Sequence, residues 1–346
     1  MKLVFTADTH FCSKFINENA AERNAQIISV FDKIADYAQS CGAEAVLLGG
    51  DLFDTPYPSS ETEAAVRRVF ERHGELSFYA VCGNHDPLAV TGFYSDPPRN
   101  LFVFPDKITP AQIGDITLYG ISLSNAFDAP DPWSDFHASG RFITMSHGTL
   151  SGRGGFSLDP RTLASTGASL SLMGHIHKTS EYQLSNGSRA LYAGSPFGRG
   201  FDECGQKGFY VIDTGSFDYT YVNTNAKIYR EYYADVSDAR SVADILAVLS
   251  ELSPAENEIA RAVLTGTLRT PFYIDCNALC SHLDGFIEVR DKTQIDIDLF
   301  KNTGDNTLEG RFVHILSEKL KNADESEKQI ILDAIKEGVI AVRSGK

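Results

Sequence analysis

Apolar positions divide the chain into two unequal regions. A short apolar run, KLVFTAD (2–8), closes on an acid, and residues 24–40 then place Ile27, Ile28, Phe31, Ile34, Ala35 and Ala38 at helical spacing, with Gly42 as a stop. A second run, AEAVLLGGD (43–51), precedes a helix carrying Val66, Val69 and Phe70, for which Ser60 and Glu63 offer a capping box. A third run, SFYAVCGNHD (77–86), and then ITLYGIS, RFITMSHG, SLSLMGHIH, RALYAGS and KGFYVIDT read as strands with fewer helices between them. This alternation predicts an α/β layered sheet domain. Around residues 224–230 the pattern changes. Ser241 caps a helix running to Leu252, IARAVLTGTL and GFIEVRDKTQIDIDLF alternate as strands, and two helices follow, the last interrupted by Gly338. The expected organisation is residues 1–225 as the main domain and 226–346 as a smaller α+β domain.

Composition narrows the class. At 346 residues the chain exceeds what one core usually supports, and 42% apolar residues suffice for globular cores. No apolar run reaches the roughly 18 residues of a membrane span, and MKLVFTADTH turns polar too early for a signal peptide. Six cysteines without a CxxC pair suit buried free thiols in a reducing compartment, so a soluble cytoplasmic protein with no membrane partner is expected. The formal net charge is −15, distributed as 16 Lys and Arg against 25 Asp and Glu before Asn225, and 15 against 21 from it onward. Neither region is basic, so a polyanion would need bound cations or a partner to hold it.

The chemistry-bearing residues follow the apolar runs. Asp8 and His10 follow the first, Asp51 the second, and Asn84, His85 and Asp86 the third; His147 follows FITMS, and His175 and His177 follow SLSLMG. Open α/β sheets build ligand sites at strand ends, and five of the nine histidines fall there. On extended backbone, residues i and i+2 project to one side, which would aim Asp8 with His10, and His175 with His177, at common points. Mixed imidazole and carboxylate donors suit Mn, Fe or Zn, and one shared carboxylate can bridge two ions. Glycines before Asp51, Asn84 and His175 allow the loops to close together.

Asp8-x-His10, Gly50-Asp51, GNHD (83–86), His147 and GHIH (174–177) resemble, in order and spacing, the signature of the calcineurin-like metallophosphoesterases. The resemblance implies an αββα layered β-sandwich with a smaller capping domain. It also implies two divalent ions, with Mn2+ expected ahead of Fe or Zn. Asp8, His10, Asp51 and His177 would hold one ion; Asp51, Asn84, His147 and His175 would hold the other. His85 would act on the leaving oxygen as an acid, with Asp86 orienting its ring. GGDLFDTPYPS (49–59) and YAGSPFGRGFDECGQKGF (192–209) are further similar to the SbcD and YhaO type of DNA-repair exonuclease. That likeness implies DNA as substrate, an SbcC-like coiled-coil ATPase partner docked through the C-terminal region, and a homodimer. Some nucleases of this group carry a His at the position of Asp54. Arg153, Lys178, Arg199 and Lys207 are candidate phosphate contacts. The alternative readings are a phosphatase or phosphodiesterase for a nucleotide or other small ester, and a catalytically inert scaffold of the same fold.

Overall fold

Residue parity in the first strand sets the architecture. In KLVFT, Leu3 and Phe5 enter one apolar core while Val4 enters another, and Ala45 and Leu47 separate from Val46 and Leu48 in the same way. A sheet buried on both faces must be covered on both. The computed structural model describes residues 1–15, 19–150, 152–268, 272–295 and 303–344, and divides into two compact units, Met1–Ile228 and Tyr229–Lys346.

In the first unit the order is β1 (Lys2–Thr6), α1 (Ala20–Ser40), β2 (Ala43–Leu48), α2 (Ser60–Arg72), β3 (Ser77–Ala80), β4 (Leu101–Val103), β5 (Thr109–Ile113), β6 (Ile116–Gly120), β7 (Phe142–Thr149), β8 (Phe156–Ser157), α3 (Pro160–Ser165), β9 (Leu170–Gly174), β10 (Ser180–Gln183), β11 (Arg189–Tyr192), β12 (Gly208–Asp213) and β13 (Tyr219–Asn223). One sheet runs β13-β12-β1-β2-β3-β4, parallel from β1 to β4; the other runs β10-β11-β9-β7-β6-β5, with β8 beside β7. Leu3, Phe5, Leu47, Ile116, Leu118, Ile143, Leu172 and Ile212 form the core between the sheets. Helices α1 and α2 cover the outer face of the first sheet through Ile27, Phe31, Ile34, Val66 and Phe70. Leu163 of α3 joins Trp133, Phe156, Met173 and Tyr192 on the outer face of the second. The layers are therefore αββα, as the family resemblance implies.

Two local expectations change within this unit's strands and helices. Helix α2 is capped by Ser59, whose side chain accepts from the Thr62 amide, one residue before the expected Ser60. His147 lies inside β7, fully buried and paired with Gly174 of β9, and does not follow a strand end.

The second unit contains β14 (Ile228–Asp235), α4 (Val242–Ser250), β15 (Glu258–Thr265), β16 (Thr267–Leu268), α5 (Cys276–Cys280), β17 (Phe286–Asp291), β18 (Gln294–Ile295), α6 (Leu308–Asn322) and α7 (Glu325–Ser344). Ser241 caps α4 as its sequence suggests, and β14, β15 and β17 form a three-stranded sheet. The alternating stretch expected over 296–300 lies outside the described residues. Gly338 does not interrupt α7. A Cβ there would stand 2.1 Å from the Phe312 ring, so the glycine lets α7 press against α6 where Val313, Ile335 and Val339 are buried. Among the described residues, no helix is long and apolar enough to cross a membrane.

Candidate metal centre

The loops that leave β1, β2 and β9 adopt backbone that most residues avoid. Asp8 (φ 53°), His10 (φ 49°), Asp51 (φ 51°) and His175 (φ 101°) all lie at positive φ. Non-glycine residues there are strained by about 1–3 kcal/mol each, and persist where the surroundings over-determine them. Extended geometry thus does not aim Asp8 and His10; left-handed turns do. The surroundings that hold them are hydrogen bonds between these loops, within the first sheet and across to the second. The Asp8 carboxylate accepts from the His175 amide at 2.9 and 3.2 Å, and the Asp8 amide donates to Gly50 O at 3.0 Å. Glycines provide the clearance. A Cβ on Gly83 would sit 2.1 Å from Asp51 Oδ1, and one on Gly50 would sit 2.5 Å from His147 Nδ1.

Donor atoms of Asp8, His10 and His177 lie within 4.8 Å of one another, as do those of Asp51, His147 and His175. Asp51 stands between these groups: its Oδ2 is 3.6 Å from His10 Nε2 and 3.3 Å from His147 Nε2, while its Oδ1 accepts from the His85 amide at 2.9 Å. The contacts of the imidazoles test whether cations fit. His10 Nδ1 lies 2.9 Å from Asp54 Oδ1, and His177 Nδ1 lies 2.7 Å from Glu203 Oε1. His10 Nδ1 makes no hydrogen bond and Arg199 Nη2 also lies 3.0 Å from His177 Nδ1, but the carboxylates beside both Nδ1 atoms favour hydrogen there, and in neutral rings that leaves lone pairs on both Nε2 atoms. Those two Nε2 atoms face each other at 3.0 Å. A cation between them resolves the repulsion. On the other side, His147 Nδ1 donates to Gly49 O at 2.9 Å and His175 Nε2 to Arg153 O at 3.2 Å. That leaves His147 Nε2 and His175 Nδ1 converging on Asn84 Oδ1 at 3.1 and 3.0 Å. The donor set fits two divalent ions sharing Asp51, so the residues present are suited to the implied centre.

Titration behaviour follows from burial and crowding of these groups. Burial opposes charge at Asp51, but the adjacent His147 outweighs it and the carboxyl lies well below its ordinary range. Burial likewise lowers His147, yet Asp51 and Asp8 reverse this and bring it to about 9. Burial drives His10 and His175 downward, which favours the neutral, ligating form.

His85 and Asp86 separate in role. His85 is exposed at the edge of a cleft of about 930 Å³ lined also by Cys12, Lys14, Phe15 and Tyr57, and its Nδ1 donates to Asp54 O at 3.1 Å. Asp86 does not orient it. The Asp86 carboxylate is fully buried and accepts from the amides of Leu52 (2.7 Å), Phe53 (3.1 Å) and Gly83 (2.8 Å) and from the Tyr94 hydroxyl. It binds the loop after β2 to the loop after β3, and burial pushes its carboxyl up to about 7. The ring of His85 rests instead on Asp54.

Of the candidate phosphate contacts, Arg153 and Lys178 are exposed beside the site, and Arg153 also supplies the carbonyl that holds His175. Arg199 is committed elsewhere: it pairs with Asp54 and with Glu203, each at 2.8 Å. Lys207 is buried, so it does not present its ammonium at the surface. The sequence reading missed Asp54, Glu203 and Tyr94 as supports of the site. Their only linear signal is position, Asp54 three residues after Asp51 and Glu203 in GRGFDE.

A family model for calcineurin-like phosphoesterases matches residues 1–179. A Bacillus subtilis (strain 168) protein named uncharacterized metallophosphoesterase YhaO is 27% identical over 289 residues, covering 74% of this chain and 67% of that one. A protein of Sulfurisphaera tokodaii named DNA double-strand break repair protein Mre11 is 24% identical over 380 residues, covering 96% and 92%. The solved structure of TT1561 from Thermus thermophilus aligns over 64% of this chain and 98% of its own, at 14% identity and a TM-score of 0.43.

Proposed function

The chain belongs to the calcineurin-like phosphoesterase family, and from that premise we propose that it is a dinuclear-metal phosphodiesterase acting on DNA ends as an exonuclease. The observation that carries the catalytic part is the facing of His10 Nε2 and His177 Nε2 at 3.0 Å beside the shared Asp51, an arrangement of acceptors that calls for cations. The nucleic-acid part is supported by the length of the likeness to the Sulfurisphaera tokodaii repair protein, which spans 96% of this chain.

Asp8, His10, Asp51 and His177 would hold one ion, and Asp51, Asn84, His147 and His175 the other, with Mn2+ the expected metal. Two such ions supply Lewis-acid stabilisation of the phosphoryl oxygens and a water nucleophile at neutral pH. The remaining work belongs to the chain. His85 is fixed by its Nδ1–H on the Asp54 carbonyl, so its Nε2 is the atom that carries a proton to the departing oxygen. General acid catalysis of this kind contributes about 10²–10⁴-fold. Asp86 acts only by holding the His85 loop. Arg153 and Lys178, exposed at the rim, are placed to meet phosphate. Residues 226–346 would form the capping and partner-binding domain, taking an SbcC-like coiled-coil ATPase, and the enzyme would work as a homodimer. A second reading, hydrolysis of a nucleotide or other small ester, is favoured by the net charge of −15 and by the engagement of Arg199 with carboxylates.

Hydrolysis of a labelled DNA hairpin and of bis-p-nitrophenyl phosphate with Mn2+, by wild type and His85→Ala, tests the proposal. Cutting of both substrates, lost in the variant, is expected. Cutting of the small ester alone would move the assignment to the second reading. Inertness of wild type and variant alike toward every ester would favour a scaffold.

A further inference from the structure

The two metal positions are backed by different chemistry. Behind His10 and His177 stand two carboxylates: Asp54 Oδ1 lies 2.9 Å from His10 Nδ1 and Glu203 Oε1 lies 2.7 Å from His177 Nδ1. Arg199 ties them together through Nη1 on Asp54 Oδ1 and Nη2 on Glu203 Oε1, both at 2.8 Å. Glu203 is further fixed by its own chain: Oε2 accepts from the Arg199 amide at 3.1 Å and from Ser195 Oγ at 3.2 Å, and the residue is buried. Arg199, and Lys207 buried near Glu203, offset the charge of these carboxylates, so the distinction of this position is the kind of acceptor behind each imidazole. Behind His147 and His175 stand only the neutral carbonyls of Gly49 and Arg153, and Asn84 is a neutral donor. A carboxylate behind an imidazole raises its basicity and locks the ring for ligation, and removing such a partner costs about 10–100-fold in metal affinity.

We infer that Asp54, Arg199 and Glu203 are positioning residues that make the His10/His177 position the first to load and the His147/His175 position the second. This rests on the metal-centre reading above and extends it to the order of assembly. Asp54 then has a defined task in this chain: its carboxylate supports a metal ligand and is already paired with Arg199.

The test is Mn2+ titration of the full-length, chelator-stripped protein by calorimetry, with electron paramagnetic resonance at each equivalent. Wild type should bind in two phases, giving a mononuclear six-line signal at one equivalent and a spin-coupled pair at two. Glu203→Gln and Asp54→Asn should each weaken the tighter phase by about 10–100-fold and leave the weaker one in place. Asn84→Ala should remove the weaker phase alone. Thermal melts of the metal-free proteins check folding, and the two near-isosteric substitutions serve as independent tests should either fail to fold. A coupled pair forming below one equivalent, an unchanged tight phase in both variants, or loss of the tight phase in Asn84→Ala would overturn the loading order while leaving the metal centre standing. Absence of any Mn2+ binding by wild type would instead overturn the centre itself.

Discussion

The two units use backbone in opposite ways. Among the described residues, all seven non-glycine residues at positive φ (Asp8, His10, Cys12, Asp51, His175, Phe217 and Asn225) belong to Met1–Ile228, and Tyr229–Lys346 includes none. Glycine clears space for both placement and packing. In the first unit Gly83 and Gly50 make room for Asp51 and His147, whereas in the second Gly338 makes room for a phenylalanine ring. Close approach at Gly83 and Gly50 positions candidate ligand atoms; at Gly338 it serves helix packing, as Gly120 serves packing against Phe104 within the first unit. Strain at Asp8, His10, Asp51 and His175 accompanies the candidate ligands, while Phe217 and Asn225 carry it in loops away from them.

The strongest way to break this comparison is Gly83→Ala. Its methyl would overlap the Asp51 carboxylate and lie 2.7 Å from the Asp51 amide, so hydrolysis should fall by about 10²-fold or more and bound metal should drop in elemental analysis. An active, metal-replete variant would contradict the claim that this glycine serves the centre. Next in size is Asp86→Asn. The amide would turn an NH2 toward the Leu52, Phe53 or Gly83 N–H groups, at a cost of about 1–3 kcal/mol in urea denaturation. A stability loss is expected even without substrate or metal, unlike the effect of His85→Ala, which should leave the melt unchanged. Gly338→Ala should cost about 1–3 kcal/mol by overpacking against Phe312, with ester hydrolysis by the folded protein unaltered. Lost turnover there would erase the distinction between the units. The smallest effect is expected at Cys12, which has φ 70°. Cys12→Gly should relieve roughly 1–2 kcal/mol of left-handed strain. Glycine gives back about 0.5–1 kcal/mol in chain entropy, for a net gain near about 0.5 kcal/mol in thermal denaturation. A fall in turnover would reveal a role for the thiol in the cleft.

What the sequence discloses depends on the range of the interaction. An α/β layered domain was legible in the apolar runs, and Asp8, Asp51, Asn84 and His175 were legible as candidate ligands because each follows such a run; the αββα order came from the family resemblance. The roles of Asp86 and Arg199 were not. Asp86 meets Leu52 across 34 residues, and Arg199 meets Asp54 across 145, so no local spacing encodes either pairing. Adjacency in GNHD suggested that Asp86 serves His85, yet the turn sends the two side chains to opposite environments, one buried and one exposed. Gly338 misled for a related reason: helix propensity predicts a break, while the nearby Phe312 ring rewards the missing side chain with closer packing.

The contact between His10 and His177 joins positions 167 residues apart, one following the first sheet's β1 and the other the second sheet's β9. A nascent chain can complete the donor set only after His177 has been synthesised and both sheets have docked. Contacts so distant in sequence form late, because the long intervening loop must close first. Metal capture thus reports on finished folding: an incomplete or half-assembled chain lacks the means to cut a phosphoester, and hydrolytic capacity arises together with the native sandwich.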